Sequence, residues 1–86
     1  MKYLEQIIKA LANKRRLAIL KLMKNRKEAS VGEIAEHIRL SFKATSKHLN
    51  IMARAEVLDK EQRSLTVFYS LSPEIRPFIK SLLDDL

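Results

Sequence analysis

Ser30-Val31-Gly32-Glu33-Ile34-Ala35-Glu36-His37-Ile38, followed closely by Ser41-Phe42-Lys43-Ala44-Thr45-Ser46-Lys47-His48-Leu49-Asn50, decides the reading of this chain. Ser30 and Glu33 have the spacing of a capping box, in which a serine hydroxyl and a glutamate carboxylate satisfy the free amides of a helix start. Val31, Ile34, Ala35 and Ile38 then fall at i, i+3, i+4 and i+7, one apolar face of a helix about two turns long. Ser41 is placed to cap a second helix running to about Ala55. Thr45, Leu49 and Met52, with His48 as a further candidate, form its inner face. Phe42, Lys43, Ser46, Lys47, Asn50 and Arg54 form its outer one.

Downstream, Val57–Glu61 and Leu65–Leu71 alternate in the manner of strands, with Leu65, Val67, Tyr69 and Leu71 on one side and Gln62-Arg63-Ser64 as the loop between them. Helix, turn, helix, hairpin is the order of a winged helix-turn-helix, whose second helix is shaped to enter a DNA major groove. The expected class is therefore mainly α with a β-hairpin wing. Upstream, Leu4, Ile7, Ile8 and Leu11 recur at helical spacing. Asn13 is positioned to cap a further helix that carries Leu17, Ile19, Leu20, Leu22 and Met23 and ends near Asn25. After the hairpin, Ser72-Pro73-Glu74 reads as a helix entry. Ile75, Phe78, Ile79, Leu82, Leu83 and Leu86 continue as an apolar stripe. Pro77 lacks an amide, so the regular part of that helix is expected to begin a few residues late.

The chain has 86 residues, of which 47% are hydrophobic, enough for one domain with one modest core. Seventeen Lys and Arg against ten Asp and Glu give a net charge of +7, favouring a polyanionic partner. The absence of cysteine excludes disulfides, thiolate metal sites and cysteine nucleophiles. No apolar run has the length of a membrane span and no signal peptide is visible, so the expectation is a cytoplasmic protein without a membrane partner.

A groove-reading helix needs one face anchored on a core and another bearing donors that reach phosphates and base edges. Lys43, Lys47 and Arg54 are suited to phosphate, and Ser46 and Asn50 to bases or backbone. Phe42 is suited to a thymine methyl or a sugar, and Arg63, expected at the wing tip, to the minor groove or phosphate. The plainer alternative is a solvated polar face.

These residues resemble a known family. Ala10-Leu11-Ala12-Asn13-Lys14-Arg15-Arg16-Leu17-Ala18-Ile19-Leu20 is similar to the second-helix signature of the ArsR/SmtB (arsenic-repressor-like) winged-helix regulators. Ser30–Ala35 is similar to their third helix, and Ser41–Leu49 to their recognition helix. Tyr69-Ser70-Leu71 matches the Tyr-x-Leu end of their wing. The resemblance runs from about Leu4 to Leu71. It implies a homodimeric repressor of transcription with Phe42, Lys43, Ser46, Lys47 and His48 toward double-stranded DNA; Ser41, at the start of the same helix, is counted with them as a candidate DNA-binding residue.

It also implies that the terminal helices, about residues 1–12 and 74–86, make the dimer. The residues agree, because Leu4, Ile7, Ile8, Leu11, Phe78, Ile79, Leu82, Leu83 and Leu86 offer more apolar surface than a small monomer leaves at its edge. The alternative is that these helices close the protomer's own core.

Two departures stand out. Many family members sense metals through cysteines near the third helix or through His and carboxylates on the last. Here the first stretch is Glu28-Ala29-Ser30-Val31-Gly32 and the last helix has Asp84 and Asp85 without His, so no metal site or cofactor is expected. His37 and His48 are read as structural, His37 on the surface and His48 against the core or a phosphate. The family also often has glycine where this chain has Arg39 and Glu56, so either the turns differ or a left-handed backbone is strained there. The competing function is a winged-helix protein-docking module without DNA readout. Catalysis is not expected, since no nucleophile–base pair, phosphate loop or metal cluster is apparent.

Overall fold

The computed structural model describes residues 2–84, with side chains from Leu4 onward; Leu86 lies outside the described residues. The elements are α1 (Lys2–Leu11), α2 (Lys14–Met23), β1 (Ala29–Ser30), α3 (Val31–Ile38), α4 (Phe42–Arg54), β2 (Leu58–Arg63), β3 (Thr66–Leu71) and α5 (Arg76–Leu83). Mainly helical, with a hairpin against a helix-turn-helix, this is a winged helix.

Local chemistry sets most helix starts. The Asn13 side chain accepts hydrogen bonds from the amides of Arg15 (2.9 Å) and Arg16 (3.2 Å). The capping box at α3 is complete: the Glu33 amide donates to Ser30 Oγ at 3.1 Å and the Ser30 amide to Glu33 Oε1 at 2.9 Å. Ser41 Oγ accepts from the Ala44 amide at 3.1 Å to start α4.

The ends of α3 and α4 share one device. Arg39 (φ 56°) and Glu56 (φ 62°) both sit in the left-handed region. The Leu40 amide donates to Ala35 O at 3.0 Å and the Val57 amide to Met52 O at 3.0 Å, each reaching back over the last turn in a Schellman motif. Glycine is the residue that adopts this backbone without strain. Arginine and glutamate therefore carry that strain here.

The core gathers Ile19, Leu20 and Met23 of α2, Ile34 of α3, Leu49 and Met52 of α4, Val57, and Ile79 and Leu83 of α5. Thr45 is fully buried with Leu49 and Met52, as its spacing predicted. On α2, Leu17 stays exposed, because the buried stripe runs through Ile19, Leu20 and Met23 instead.

Two points differ from the sequence reading, and a third agrees with it in part. The sheet has three antiparallel strands in the order β1-β3-β2, with Ala29 opposite Tyr69 and Ser30 opposite Phe68. The extended backbone that Ser30 adopts as a cap (φ −77°, ψ 161°) also serves as strand. Second, the wing turn falls at Ser64-Leu65, one step later than expected: Arg63 lies in β2 opposite Thr66, and Leu65 projects 95% exposed rather than joining Val67, Tyr69 and Leu71. Third, α5 begins at Arg76, the late start expected from Pro77, but without the serine cap that Ser72 suggested. The Ser72 carbonyl accepts from the amides of Ile75 and Arg76 in a turn, and no side chain caps the helix. This start places Pro77 in the first turn, where its missing amide has no intrahelical partner to lose.

The terminal helices divide their apolar residues. Leu11, Ile79 and Leu83, expected at a dimer interface, are buried in the protomer's own core. Leu4 (40%), Ile8 (54%), Phe78 (47%) and Leu82 (46%) remain exposed, and Ile7 is half-buried. An i, i+4, i+8 series Ile75-Ile79-Leu83 seats α5 on the core, and the adjoining pair Phe78-Leu82 faces outward.

Candidate nucleic-acid interface

The site is built on α4. Burying Thr45, Leu49 and Met52 fixes the rotation of the helix, so Lys43, Lys47, Asn50 and Arg54 point directly away from the core, and all four are exposed. Four side chains with hydrogen-bond donors, three of them cations, thus share one surface without a carboxylate among them.

The flank of α4 that faces the wing carries Phe42, Ser46 and Asn50, at i, i+4 and i+8. These border a groove of roughly 470 Å³ whose other walls are Gly32 at the entry of α3 and Lys60, Thr66 and Tyr69 of the wing. Phe42 is 63% exposed at its mouth. Ser46 is half-buried. The Tyr69 hydroxyl stands 3.5 Å from Asn50 Oδ1. Burial raises the Tyr69 pKa above the ordinary phenol value, which keeps its proton in place.

His48 lies on the opposite flank beside Arg15 and Arg16 of α2. Burial, then the charge of Arg16, then that of Arg15, lower its pKa below the ordinary imidazole value, favouring the neutral ring. Its buried Nδ1 has no hydrogen-bond partner among the described residues. The two arginines are themselves tethered: Arg15 Nη1 donates to Ile38 O at 3.3 Å and Arg16 Nη2 to Lys9 O at 3.5 Å. Ser41 is exposed, but its Oγ is engaged as the α4 cap.

Arg63 ends β2 and directly flanks the Ser64-Leu65 turn at the wing tip, but its side chain is engaged elsewhere. It lies on the face of the hairpin away from Lys60 and Tyr69, paired with Glu28, with its Nε 3.4 Å from Glu61 and its guanidinium 3.8 Å from the centre of the Phe68 ring. A cation held by two carboxylates and an aromatic face leaves them only at a cost, so as folded Arg63 fastens the wing to the segment before β1. The structure separates it from the α4 residues with which the sequence grouped it.

Lys60 was missed by the sequence reading. It is the cross-strand partner of Tyr69 and so stands on the α4 side of the wing. The two-residue alternation from buried Leu58 would have found it. Among the described residues no group of three or more His, Cys, Asp or Glu gathers to hold a metal, and no helix is long and apolar enough to cross a membrane.

A helix with a buried apolar face and an exposed basic one, flanked by a hairpin, defines a winged helix-turn-helix domain that binds DNA. The chain belongs to the arsR family of bacterial regulatory proteins, whose model matches residues 13–60. It is 39% identical over 77 residues to the transcriptional activator HlyU of Vibrio cholerae, covering 88% of this chain and 70% of that protein. The structure of HlyU from Vibrio cholerae superposes with a TM-score of 0.85, covering 94% of this chain and 88% of that one at 36% identity. The transcriptional repressor SdpR of Bacillus subtilis is 33% identical over 72 residues, 84% of this chain and 79% of that protein. A homodimeric winged helix-turn-helix DNA-binding domain from Mycobacterium bovis shares the fold at a TM-score of 0.83 and 23% identity, covering 98% of this chain and 81% of that one. The protein is thus a DNA-binding transcriptional regulator.

Proposed function

We propose that the chain acts as a homodimeric repressor, with α4 of each protomer reading one half of a two-fold symmetric operator in double-stranded DNA. The observation that carries this reading is the single exposed surface formed by Lys43, Lys47, Asn50 and Arg54 opposite the buried Thr45, Leu49 and Met52. Lys43, Lys47 and Arg54 supply phosphate affinity, and Asn50, Ser46 and Phe42 supply sequence preference. Ser41 and His48 flank this surface as cap and inner support. Arg63 contributes through the wing's attachment, and reaches phosphate only by leaving Glu28 and Glu61.

Pairing is supported by the exposed Leu4, Ile8, Phe78 and Leu82 on the terminal helices, and by the homodimeric state of the Mycobacterium bovis domain of this fold. A two-fold dimer sets its two reading helices about 34–36 Å apart, one duplex turn. The repressor sense is supported by the likeness to SdpR, a transcriptional repressor. The gathering of the cations on α4 also favours DNA over the protein-docking alternative.

Binding of wild type and Lys47→Ala to a selected operator and to random duplex, measured by fluorescence anisotropy across salt concentrations, tests the assignment. Lys47→Ala is expected to weaken both and to reduce the salt slope by about one. Asn50→Ala is expected to change which sequence is preferred. Wild-type affinity and preference in both variants would show that α4 is not the reading helix.

A further inference from the structure

Asn50 occupies the line where α4 meets the wing, and its amide has two chemically opposite ends. Left to rotate, such an amide offers a base edge either an acceptor (Oδ1) or a donor (Nδ2). Tyr69 removes that freedom. Its ring is 4% exposed, fixed in β3 between β1 and β2, and a phenol so held needs an acceptor for its proton. Asn50 Oδ1, at 3.5 Å, is its one side-chain hydrogen-bond partner among the described residues. The neighbouring Lys47, Arg54 and Lys60 are donors only, and none of them draws Nδ2 inward. Asp59 shares that edge of the helix but forms no hydrogen bond with Asn50. With Oδ1 toward the phenol, Nδ2 has no hydrogen-bond partner among the described residues and is left free for the groove that Asn50 lines.

We infer that Tyr69 is a positioning residue that holds the Asn50 amide with its donor outward, so that at the base reached by Asn50 the domain demands a hydrogen-bond acceptor and rejects cytosine. Guanine (N7, O6), adenine (N7) and thymine (O4) each offer an acceptor in the major groove, whereas cytosine offers only its amine. This rests on α4 being the reading helix.

The test begins by selecting preferred duplexes for the wild-type protein from a random library. The position that Asn50→Ala relaxes is the Asn50 position, and duplexes with each of the four bases there are then titrated. Wild type is expected to bind the cytosine duplex about tenfold more weakly than the best one. Tyr69→Phe keeps the ring and loses only the hydroxyl. It is expected to shrink the cytosine penalty to about two- to threefold, because the freed amide can turn Oδ1 to the amine. Thermal stability should stay at the wild-type value, and the double variant should relax no further than Asn50→Ala alone.

Asn50→Asp keeps the acceptor for Tyr69 but abolishes the donor, and should make cytosine the preferred base; this variant tests the donor requirement even where Tyr69→Phe folds poorly. An undiminished cytosine penalty in Tyr69→Phe, or unaltered preference in Asn50→Asp, overturns the inference while leaving α4 as the reader. An Asn50→Ala variant with wild-type preference at every position overturns both.

Discussion

Replacing Glu56 by glycine should stabilise the domain. Glu56 holds φ at 62°, and its conformation lets the Val57 amide reach Met52 O at 3.0 Å and close the end of α4. A left-handed backbone costs an L-residue about 1–2 kcal/mol, which glycine avoids. Glycine in turn has more freedom to lose on folding, worth about 0.4–1 kcal/mol against it. The exposed Glu56 side chain makes no hydrogen bond or ion pair among the described residues, so nothing else is surrendered. The net gain is about 0.8 kcal/mol, equivalent to a rise of about 3–6 °C in Tm for a domain of this size. Arg39→Gly (φ 56°) should gain a similar amount, and the two should add, since they end different helices and share no partner. Thermal unfolding followed by far-UV circular dichroism, at one fixed protein concentration because pairing makes Tm concentration-dependent, is the measurement. Glu36→Gly, in the right-handed interior of α3, is the control of opposite sign and should cost about 1 kcal/mol. A Tm for Glu56→Gly at or below wild type would refute the strain reasoning, most decisively if Arg39→Gly did the same.

Three further outcomes can be checked. Ser30→Ala removes the hydroxyl that accepts from the Glu33 amide and should cost about 1 kcal/mol in urea unfolding, with the fold retained. Because the His48 pKa is lowered in the folded state by burial, Arg16 and Arg15, the unfolded chain takes up its proton first as pH falls. Stability is therefore whole above the unfolded imidazole value, about 6.5, and is lost as pH drops from there through the folded pKa; His48→Gln should flatten this part of a Tm-versus-pH curve. Phe78→Glu with Leu82→Glu places charge on the exposed side of α5 while leaving Ile79 and Leu83 in the core. Analytical ultracentrifugation should find a folded monomer with far weaker operator binding, and an unchanged dimer would remove this face from the interface.

Capping and spacing were legible because they are local. The amides satisfied by Asn13, Ser30 and Ser41 lie two or three residues away, so side-chain type and interval were sufficient to place the starts of α2, α3 and α4. The outward face of α4 followed from the same logic: once Thr45, Leu49 and Met52 are inside, the helical repeat leaves Lys43, Lys47 and Arg54 outside. Periodicity names a stripe but not what covers it. Leu11, Ile79 and Leu83 go to the protomer's core while Leu4, Ile8, Phe78 and Leu82 stay out, a division settled by how α1 and α5 dock. Arg63 finds Glu28, 35 residues away in sequence, and Tyr69 finds Asn50 at a separation of 19. Such pairings exist only after the hairpin folds against the helices, because a side chain's partner across a tertiary contact is chosen by chain path rather than by interval.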